Sequence, residues 1–281
     1  MPEIALPLQR LLEAGTDRLR AAGLPDPRRQ ALRLWTDLGG SSPALHQETV
    51  EAEEATRFER AISRRLAGEP LPYVTGWAGF RHLSLKCDRR ALIPRPETEG
   101  LVDLLLQRTR SGLVAEIGTG TGCIALSLAT EGSYRRIVAI DRSPEALALA
   151  RLNREVVGAG EVEFVLADLC APLGQGTLDA LISNPPYLTA AEYASLDRSV
   201  RDWEPELALM SGEDGLEATA RLMDQGRAVL RPGGWLALEV DCSRAGMAAN
   251  RARGLGWEEV SIHMDLFGRE RYLLARRSET R

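Results

Sequence analysis

From residue 113 onward, short apolar runs alternate with helical patterns, and no other feature limits the fold of this 281-residue chain so strongly. The pattern predicts seven strands, at 113–118, 136–141, 161–168, 178–184, 234–240 and near 257–264 and 271–276. Helices are expected between these strands, at 122–130, after the capping residue Ser143, at about 215–230 up to Pro232, and before the last two strands. Such alternation is typical of an open, doubly wound α/β sheet with helices on both faces.

The first 72 residues read as helices. Apolar residues between Leu8 and Leu19 recur with a helical period, and a second helix is expected from Asp26, with Pro27 in its first turn. A third helix is expected from Glu48 to Leu66. The region holds 10 basic and 11 acidic side chains, so it is nearly neutral. We expect a small helical domain over residues 1–72 that serves packing or partner binding.

Residues 73–95 have a different character, with prolines, glycines and aromatic residues followed by alternation at Leu83, Leu85 and Cys87. This pattern predicts a hairpin or linker. The third region, residues 96–281, opens with a helix that has Pro96 near its start. Glu97 and Glu99 lie in its first turn, where acidic residues complement the helix dipole, so this interpretation is favoured over an acid/base pair.

Composition limits the possible sites and partners. The four cysteines, Cys87, Cys123, Cys170 and Cys242, form no C-x-x-C pair, and the three histidines are scattered. We therefore expect no metal site and no disulfide framework, and reduced thiols in a cytoplasmic protein. The sequence has no run of 18 or more apolar residues, so no membrane span is expected. The net charge of −5 argues against stable nucleic-acid binding.

A glycine-rich loop, Glu116–Gly122, lies between the first strand of the alternation and the next helix. Its glycines allow tight turns and close approach to a ligand at the carboxyl end of the strand, near a helix amino terminus. The predicted ligand-binding residues are Gly118, Thr119, Gly120, Thr121 and Gly122. A dinucleotide fingerprint would need glycine at position 123, where Cys123 stands, so the spacing disfavours NAD.

Two aspartates end the next two predicted strands. Asp141 can accept hydrogen bonds from both ribose hydroxyls of a nucleoside, or it can cap the loop before Ser143. Asp168 can accept a hydrogen bond from an adenine amino group, and loop capping is an equal alternative for it.

The segment Asn184–Tyr187 (NPPY) ends the fourth predicted strand. The Asn184 amide offers both an acceptor and donors, while the two prolines lack donors and stiffen the chain. The Pro185 carbonyl is then free to act with Asn184 as a pair of acceptors for a planar NH2 group. Tyr187 supplies a ring against which a flat amide or base can pack, and Pro186 completes the site. A strand-ending Asx turn is the alternative, but the position directly after a strand of this sheet favours the binding site.

The glycine loop and NPPY together resemble those of AdoMet-dependent amino methyltransferases, which methylate planar nitrogens on adenine N6 or glutamine N5. Further segments are similar to the peptide chain release factor glutamine N5-methyltransferases over about residues 68–281. These segments are residues 68–76 with Phe80, 92–99 (LIPRPETE), 204–209, 212–216, and Asp265 with Gly268 and Arg271.

The resemblance implies a seven-stranded AdoMet-methyltransferase sheet, AdoMet as methyl donor, and the Gly-Gly-Gln glutamine of class I release factors as substrate. It implies catalytic roles for Asn184, Pro185 and Tyr187, and substrate contacts from these three residues and Pro186. It also implies cofactor contacts from Leu169 and Asn184, in addition to those from the glycine loop, Asp141 and Asp168. The helical domain would dock the release factor, and residues 188–202 would border the substrate channel. Arg95, Pro96 and Thr98 would flank the cofactor, although Arg95 can equally pair with Glu99.

The chain departs from the family pattern at two places. Leu169 and Cys170 stand where many relatives carry an aromatic residue, and residues 240–244 stand where relatives show glycine and later glutamine.

Two alternatives to this function remain open. An adenine-N6 methyltransferase would need a basic groove, which the near-neutral amino-terminal region does not supply. A binding module that has lost catalysis would show a degraded glycine loop or NPPY, and both are intact here.

Overall fold

The computed structural model describes residues 7–39, 50–160 and 162–279. These residues form two compact units. One comprises the residues up to Trp77 together with Asp197–Trp203, and the other comprises Ala78–Leu196 and Glu204 onward. The domain boundaries expected at residues 72 and 95 stay predictions, because compactness alone does not define where a docking domain ends.

The first unit contains α1 (Leu8–Ala21), α2 (Pro27–Asp37), α3 (Ala52–Leu66) and the short α4 (Leu71–Thr75). Their apolar faces bury a core in which Trp35 packs edge-on against Phe58, with ring centroids 6.0 Å apart. The three predicted helices are confirmed, although α3 begins only at Ala52, after a capping box between Glu51 and Glu54. Residues 48 and 49, the expected start of that helix, lie outside the described residues. Helix α4 was not predicted, because five residues are too few to show a period.

The strand pair expected within residues 73–95 is present. Strands β1 (Trp77–Phe80) and β2 (Leu83–Lys86) form a two-stranded sheet, and Phe80 and Leu85 are buried in the core of the second unit. Helix α5 (Pro96–Arg108) follows, and its first turn contains Glu97 and Glu99, as the helix-dipole interpretation requires.

The main sheet of the second unit has seven strands in the order β5-β4-β3-β6-β7-β9-β8. Strands β3 to β7 pair in parallel, and β9 pairs antiparallel with both β7 and β8. The strands are β3 (Ser111–Ile117), β4 (Ser133–Asp141), β5 (Val162–Leu166), β6 (Leu178–Ser183), β7 (Leu230–Glu239), β8 (Trp257–Met264) and β9 (Glu270–Arg277). The seven-stranded sheet predicted from the alternation is therefore confirmed.

Helices cover both faces of this sheet. The remaining helices are α6 (Cys123–Glu131), α7 (Pro144–Val157), α8 (Ala190–Ser195), α9 (Arg198–Arg201), α10 (Glu217–Val229) and α11 (Ala245–Gly254). Successive strand residues point to opposite faces, so Val114 packs in the cluster of α5, α6 and α7, whereas Ala115 packs in the cluster of α10 and α11. Of the helices in the described residues, none is long and apolar enough to cross a membrane.

The order of the strands reverses on either side of β3, which pairs with β4 on one edge and β6 on the other. In open α/β sheets a crevice forms at such a switch point, outside the carboxyl ends of the strands. The glycine loop after β3 and NPPY after β6 therefore meet at one crevice.

The segment Pro232–Gly233–Gly234 differs from the expectation. The sequence predicted that it ends a helix, but α10 ends at Val229 and β7 begins directly at Leu230. Leu178 pairs with Leu230 and Ala180 with Trp235, so the segment forms an irregularity inside β7. Proline is tolerated at such a bulge because it does not have to donate to the ladder.

Candidate active site

A cleft of about 960 Å³, measured with its open mouth, lies at the crevice between β3 and β6. The structure brings together eight of the predicted site residues in its lining: Gly118, Gly120, Asp141, Asp168, Leu169, Asn184, Pro185 and Pro186. Thr119, Thr121, Gly122 and Tyr187 are not among the lining residues.

Main-chain hydrogen bonds to the neighbouring strand and a buried carboxylate hold the glycine loop in place. The backbone N–H groups of Gly118 and Thr119 both donate to the Ile140 carbonyl, at 2.8 and 3.1 Å. The Thr119 hydroxyl donates to Glu116 at 2.6 Å, and both Thr119 and Thr121 are buried. The two threonine side chains thus lie on the buried side of the loop. Cofactor contacts from them stay a prediction.

Glu116, at the end of β3, was noted in the sequence only as the first residue of the loop. It is 1% exposed and also accepts a hydrogen bond from the Ala125 N–H at 2.9 Å, so it ties β3 to α6. Burial raises the pKa of Glu116 to about 8. A carboxylate near the end of an apolar strand, two residues before a glycine, was the signal that could have identified it.

Asp141 has the loop-fixing role that the sequence offered as one alternative, and its contact with ribose hydroxyls stays a prediction. Its carboxylate accepts from the Gly120 N–H at 2.8 Å and from the Ser143 N–H at 2.9 Å, so it fixes the loop. Ser143 in turn caps α7 by accepting from Ala146 N–H. Since a carboxylate has about four acceptor sites, Asp141 keeps acceptor capacity on the cleft side for hydroxyl groups.

Asp168 lies opposite a basic partner that the sequence did not reveal. Arg221 of α10 donates to it at 2.6 Å, and both half-exposed side chains line the cleft. Leu169 has a φ of +49°, and the following Cys170 N–H donates to Gln225 of α10 at 3.0 Å. Helix α10 therefore shapes the loop that would face an adenine.

Asn184 connects the cleft to a buried chain of polar groups. Its side-chain NH2 donates to the Thr98 hydroxyl at 3.0 Å, and that hydroxyl donates to Glu239 at 2.7 Å. Thr98 and Glu239 are 2% and 1% exposed. Burial raises the pKa of Glu239 to about 7.

Tyr187 lies beyond the prolines, where the chain turns away from the cleft. The N–H groups of Tyr187 and Leu188 both donate to the Leu209 carbonyl, at 3.2 and 2.9 Å. Burial raises the pKa of Tyr187 to about 12, so its hydroxyl stays protonated at neutral pH. The part of Tyr187 in substrate packing stays a prediction.

The LIPRPETE segment and the segment that begins at Glu204 are joined directly. Glu204, which is buried, accepts from the Ile93 N–H at 3.1 Å and from the Arg95 guanidinium at 2.5 Å. Arg95 thus pairs with Glu204, while Glu99 accepts from the Arg81 N–H. The buried carboxylate of Glu204 thus ties the two segments together.

The LIPRPETE segment also meets the cleft at a different point from the one expected. Its first residue, Leu92, and the two residues before it, Arg90 and Ala91, line the cleft. Arg95, Pro96 and Thr98 are absent from the lining. A flanking role for Arg95, Pro96 and Thr98 beside a cofactor stays a prediction.

Arg244, at one of the departures from the family pattern, holds the chain after NPPY. Its guanidinium donates to Glu192 of α8 at 2.8 and 2.7 Å and to the Asp214 carbonyl at 2.7 Å. Glu192 also forms a capping box with Thr189 at the start of α8. Residues 188–202, which the sequence left as a loop, thus contain α8 and α9.

The thiols and acidic side chains of the described segments form no group of three or more that could hold a metal ion. Burial raises the pKa of Cys87 and of Cys170 to about 12, so these two thiols stay protonated.

The sheet order, the glycine loop and the cleft at the switch point fit the AdoMet-methyltransferase class expected from the sequence. Family models agree: residues 97–200 match the Methyltransferase small domain, and residues 10–76 match the PrmC N-terminal domain. The chain is 40% identical over 281 residues to the release factor glutamine methyltransferase of Deinococcus radiodurans, covering 96% of this chain and 99% of the relative. The protein of the same name from Cereibacter sphaeroides is 39% identical, with 94% and 96% covered. The chain belongs to the release factor glutamine methyltransferase family.

A solved structure supports the fold independently. A methyltransferase from Pyrococcus furiosus superimposes with a TM-score of 0.51 at 20% identity, covering 81% of this chain and 100% of the other.

Proposed function

We propose that this protein transfers a methyl group from AdoMet to the side-chain amide N5 of the glutamine in the Gly-Gly-Gln motif of class I peptide chain release factors. The observation that carries the proposal is the near-complete overlap with relatives named for this activity, at 40% and 39% identity. The reaction belongs to translation termination, and we infer from this a cytoplasmic enzyme.

The cleft residues fit AdoMet. Gly118 has a φ of +72°, and a Cβ built there would meet no atom of the described residues within 4 Å, so its backbone presents an open cradle. Asp141 keeps acceptors for ribose hydroxyls, and Asp168 and Leu169 line the part of the cleft formed after β5. Bound AdoMet would supply an electrophilic methyl group carried by a sulfonium.

Asn184 and Pro185 supply the acceptors for the substrate amide. An amide nitrogen is a poor nucleophile because its lone pair is delocalised. If the Asn184 Oδ1 and the Pro185 carbonyl accept its two N–H hydrogens, they direct the lone pair and favour positive charge on nitrogen. Orientation of this kind contributes up to roughly 7–11 kcal/mol in well-aligned systems.

The proton of the methylated amide has no histidine acceptor among the described residues that line the cleft. We therefore assign no general base, and the proton leaves to water after transfer. Pro186 and Tyr187 pack against the substrate glutamine in this proposal.

The helical region of residues 1–72 docks the release factor, and residues 188–202 border the channel for its loop. An adenine-N6 activity on DNA or RNA, the alternative that NPPY allows, has no support from the curated relatives, which are named for glutamine methylation.

The test is methyl transfer from labelled AdoMet to a purified class I release factor. The parallel acceptors are the same factor with its loop glutamine replaced by alanine, duplex DNA and ribosomal RNA. Label on the wild-type factor alone is expected. Label on the alanine variant would refute the acceptor residue, label on nucleic acid would favour the adenine reaction, and no label despite AdoMet binding would indicate a binding module.

Substitution of Asn184 by alanine tests the acceptor pair. We expect Asn184→Ala to lower kcat by about 10²–10³-fold, the usual effect of losing one preorganised hydrogen-bonding group, while the Kd for AdoMet changes far less. Single-turnover kinetics and calorimetric titration measure the two quantities. Equal losses in turnover and AdoMet affinity would contradict the assigned role.

A further inference from the structure

We propose that Thr98 and Glu239 are positioning residues that set which end of the Asn184 amide faces the cleft. The inference rests on the proposed function for its chemical purpose, because it concerns how Asn184 comes to present an oxygen to the substrate amide. Neither Thr98 nor Glu239 lines the cleft, so both act through Asn184.

The direction of the hydrogen-bond chain follows from the number of hydrogens available. An ionised carboxylate can only accept, and a threonine hydroxyl has a single hydrogen to donate. With Glu239 ionised, Thr98 gives its hydrogen to Glu239, at 2.7 Å between the oxygens. The Thr98 oxygen can then only accept from Asn184, which must present its NH2 group at 3.0 Å.

The other end of the amide is thereby determined. A planar amide that directs its NH2 group toward Thr98 must direct Oδ1 away from Thr98. Asn184 lines the cleft while its two partners are buried, so Oδ1 is left as the acceptor on the cleft side. A reversed amide would present N–H groups to the N–H groups of the substrate, and the acceptor pair would be lost.

Protonation of Glu239 removes the basis for this orientation. A protonated carboxyl can donate to Thr98, which then donates to Asn184, and the amide reverses. Burial raises the pKa of Glu239 to about 7, with Glu97 acting in the same direction and Arg271 and Arg95 opposing it. Tyr187 and Tyr272, whose own pKa values are raised, also face this carboxylate. The amide should therefore hold its productive orientation above about pH 7 and lose it below.

The first experiment observes the amide itself, without any substrate. In the ¹⁵N-labelled protein the Asn184 side-chain NH2 signals, assigned by their loss in Asn184→Ala, should titrate with a midpoint near pH 7. In Glu239→Gln, which keeps the shape but cannot ionise, the signals should not titrate in this range. Identical titrations in the two proteins, or no titration in the wild type, would overturn the proposal.

The second experiment measures turnover on a release factor relative to the wild type. Thr98→Val should lower kcat by about 10²-fold, whereas Thr98→Ser, which keeps the hydroxyl, should stay within about threefold. Glu239→Gln should lower kcat by about tenfold at pH 8 and abolish the fall in rate below pH 7, because its neutral amide can both donate and accept. The KM for AdoMet should stay within about twofold in all three variants.

A control separates positioning from simple destabilisation. Thr130→Val removes a hydroxyl that donates to the Leu126 carbonyl at 3.0 Å, away from the cleft. It should lower Tm and leave kcat unchanged. Wild-type kcat in folded Thr98→Val would contradict the role of the relay. A wild type inactive on release factors would contradict the proposed function, while the NMR titration would still decide the relay.

Discussion

Gly118 and Gly122 stand at the two ends of one loop, yet their Cα atoms face different surroundings. Both have positive φ values, +72° and +83°. A Cβ on Gly118 would extend into free space beside the cleft, while one on Gly122 would lie 3.2 Å from Leu126 and 3.3 Å from Ala150. Glycine is thus required at Gly122 for packing, and we infer that at Gly118 it lets a ligand approach the backbone.

We expect alanine substitutions at these two positions to separate binding from stability. Each introduces backbone strain of about 1–2 kcal/mol, since a Cβ is unfavourable at positive φ. Gly122→Ala should lower Tm further, because Leu126 and Ala150 must move, and should keep most AdoMet affinity. Gly118→Ala should weaken AdoMet binding by about tenfold or more, since each 1.4 kcal/mol of lost contact is tenfold.

Thermal denaturation and calorimetric AdoMet titration of the two variants, side by side with the wild type, measure the difference. A larger loss of AdoMet affinity in Gly122→Ala than in Gly118→Ala would show that the two roles are assigned to the wrong glycines.

The residues that the sequence could predict are those that follow strands within a few positions. The glycine loop, Asp141 and Asn184 were found because each comes directly after a predicted strand. Their partners were not, because contact depends on the fold. Thr98 is 86 residues from Asn184 and 141 from Glu239, and Glu204 is 111 residues from Ile93. No local period or spacing links such pairs.

At the scale of elements, Arg244 holds together two segments that follow β6. It contacts α8 through Glu192 and the turn after residue 212 through the Asp214 carbonyl. Gly215 is packed so closely that a Cβ there would lie 2.8 Å from the Arg244 Nε. The buried guanidinium therefore limits the movement of the segment that follows NPPY.

Substitution of this arginine should affect the protein substrate more than the cofactor. We expect Arg244→Met to destabilise the protein by about 1–3 kcal/mol, because the Asp214 carbonyl and Glu192 lose the hydrogen bonds from this guanidinium, although Glu192 keeps those from Thr189. It should raise the KM for the release factor by about tenfold while AdoMet affinity stays within about twofold.

The matched control is Arg136→Met, which removes an arginine whose side chain is 57% exposed, paired with Glu163 and remote from the cleft lining. Exposed pairs of this kind contribute about 0–1 kcal/mol, so its effects should be small. Steady-state kinetics with varied release factor test both variants. Equal KM values for the two would exclude a role of Arg244 in ordering this segment.

Long elements were predictable and short ones were not. The strands from β3 to β9 have apolar runs, and helices such as α7 have caps and a clear period. The helices α4 and α8 have five and six residues, too short for such signals. Pro232–Gly233–Gly234 was misread because the same residues that end helices also permit a strand irregularity, and only pairing between β6 and β7 distinguishes the two.

At the scale of the whole molecule, two buried carboxylates make stability depend on pH. Burial raises the pKa of Glu116 to about 8 and that of Glu239 to about 7, above the value near 4.5 of an unfolded chain. At pH values between about 4.5 and these raised pKa values, the folded protein binds more protons than the unfolded one. This contribution to stability is fully present below about pH 4.5 and is lost as pH rises toward 8.

Glu116→Gln should therefore flatten the pH dependence of unfolding. Wild-type Tm is expected to fall between about pH 4.5 and pH 8 relative to that of the variant, whose amide has no charge to bury. The pKa of His263 is lowered, mainly by burial, and acts in the opposite direction, but it is common to both proteins. Calorimetric scans at several pH values measure the difference, and parallel Tm curves would contradict the burial of a titrating Glu116.

The helical unit is discontinuous in sequence, since it includes Asp197–Trp203 as well as the residues up to Trp77. During synthesis its helices leave the ribosome first, but the unit lacks its last segment until the chain has grown past residue 203. At ordinary elongation rates this delay is on the order of ten seconds. The segment Asp197–Trp203 therefore joins the helical unit only after the strands β3 to β6 have been synthesised.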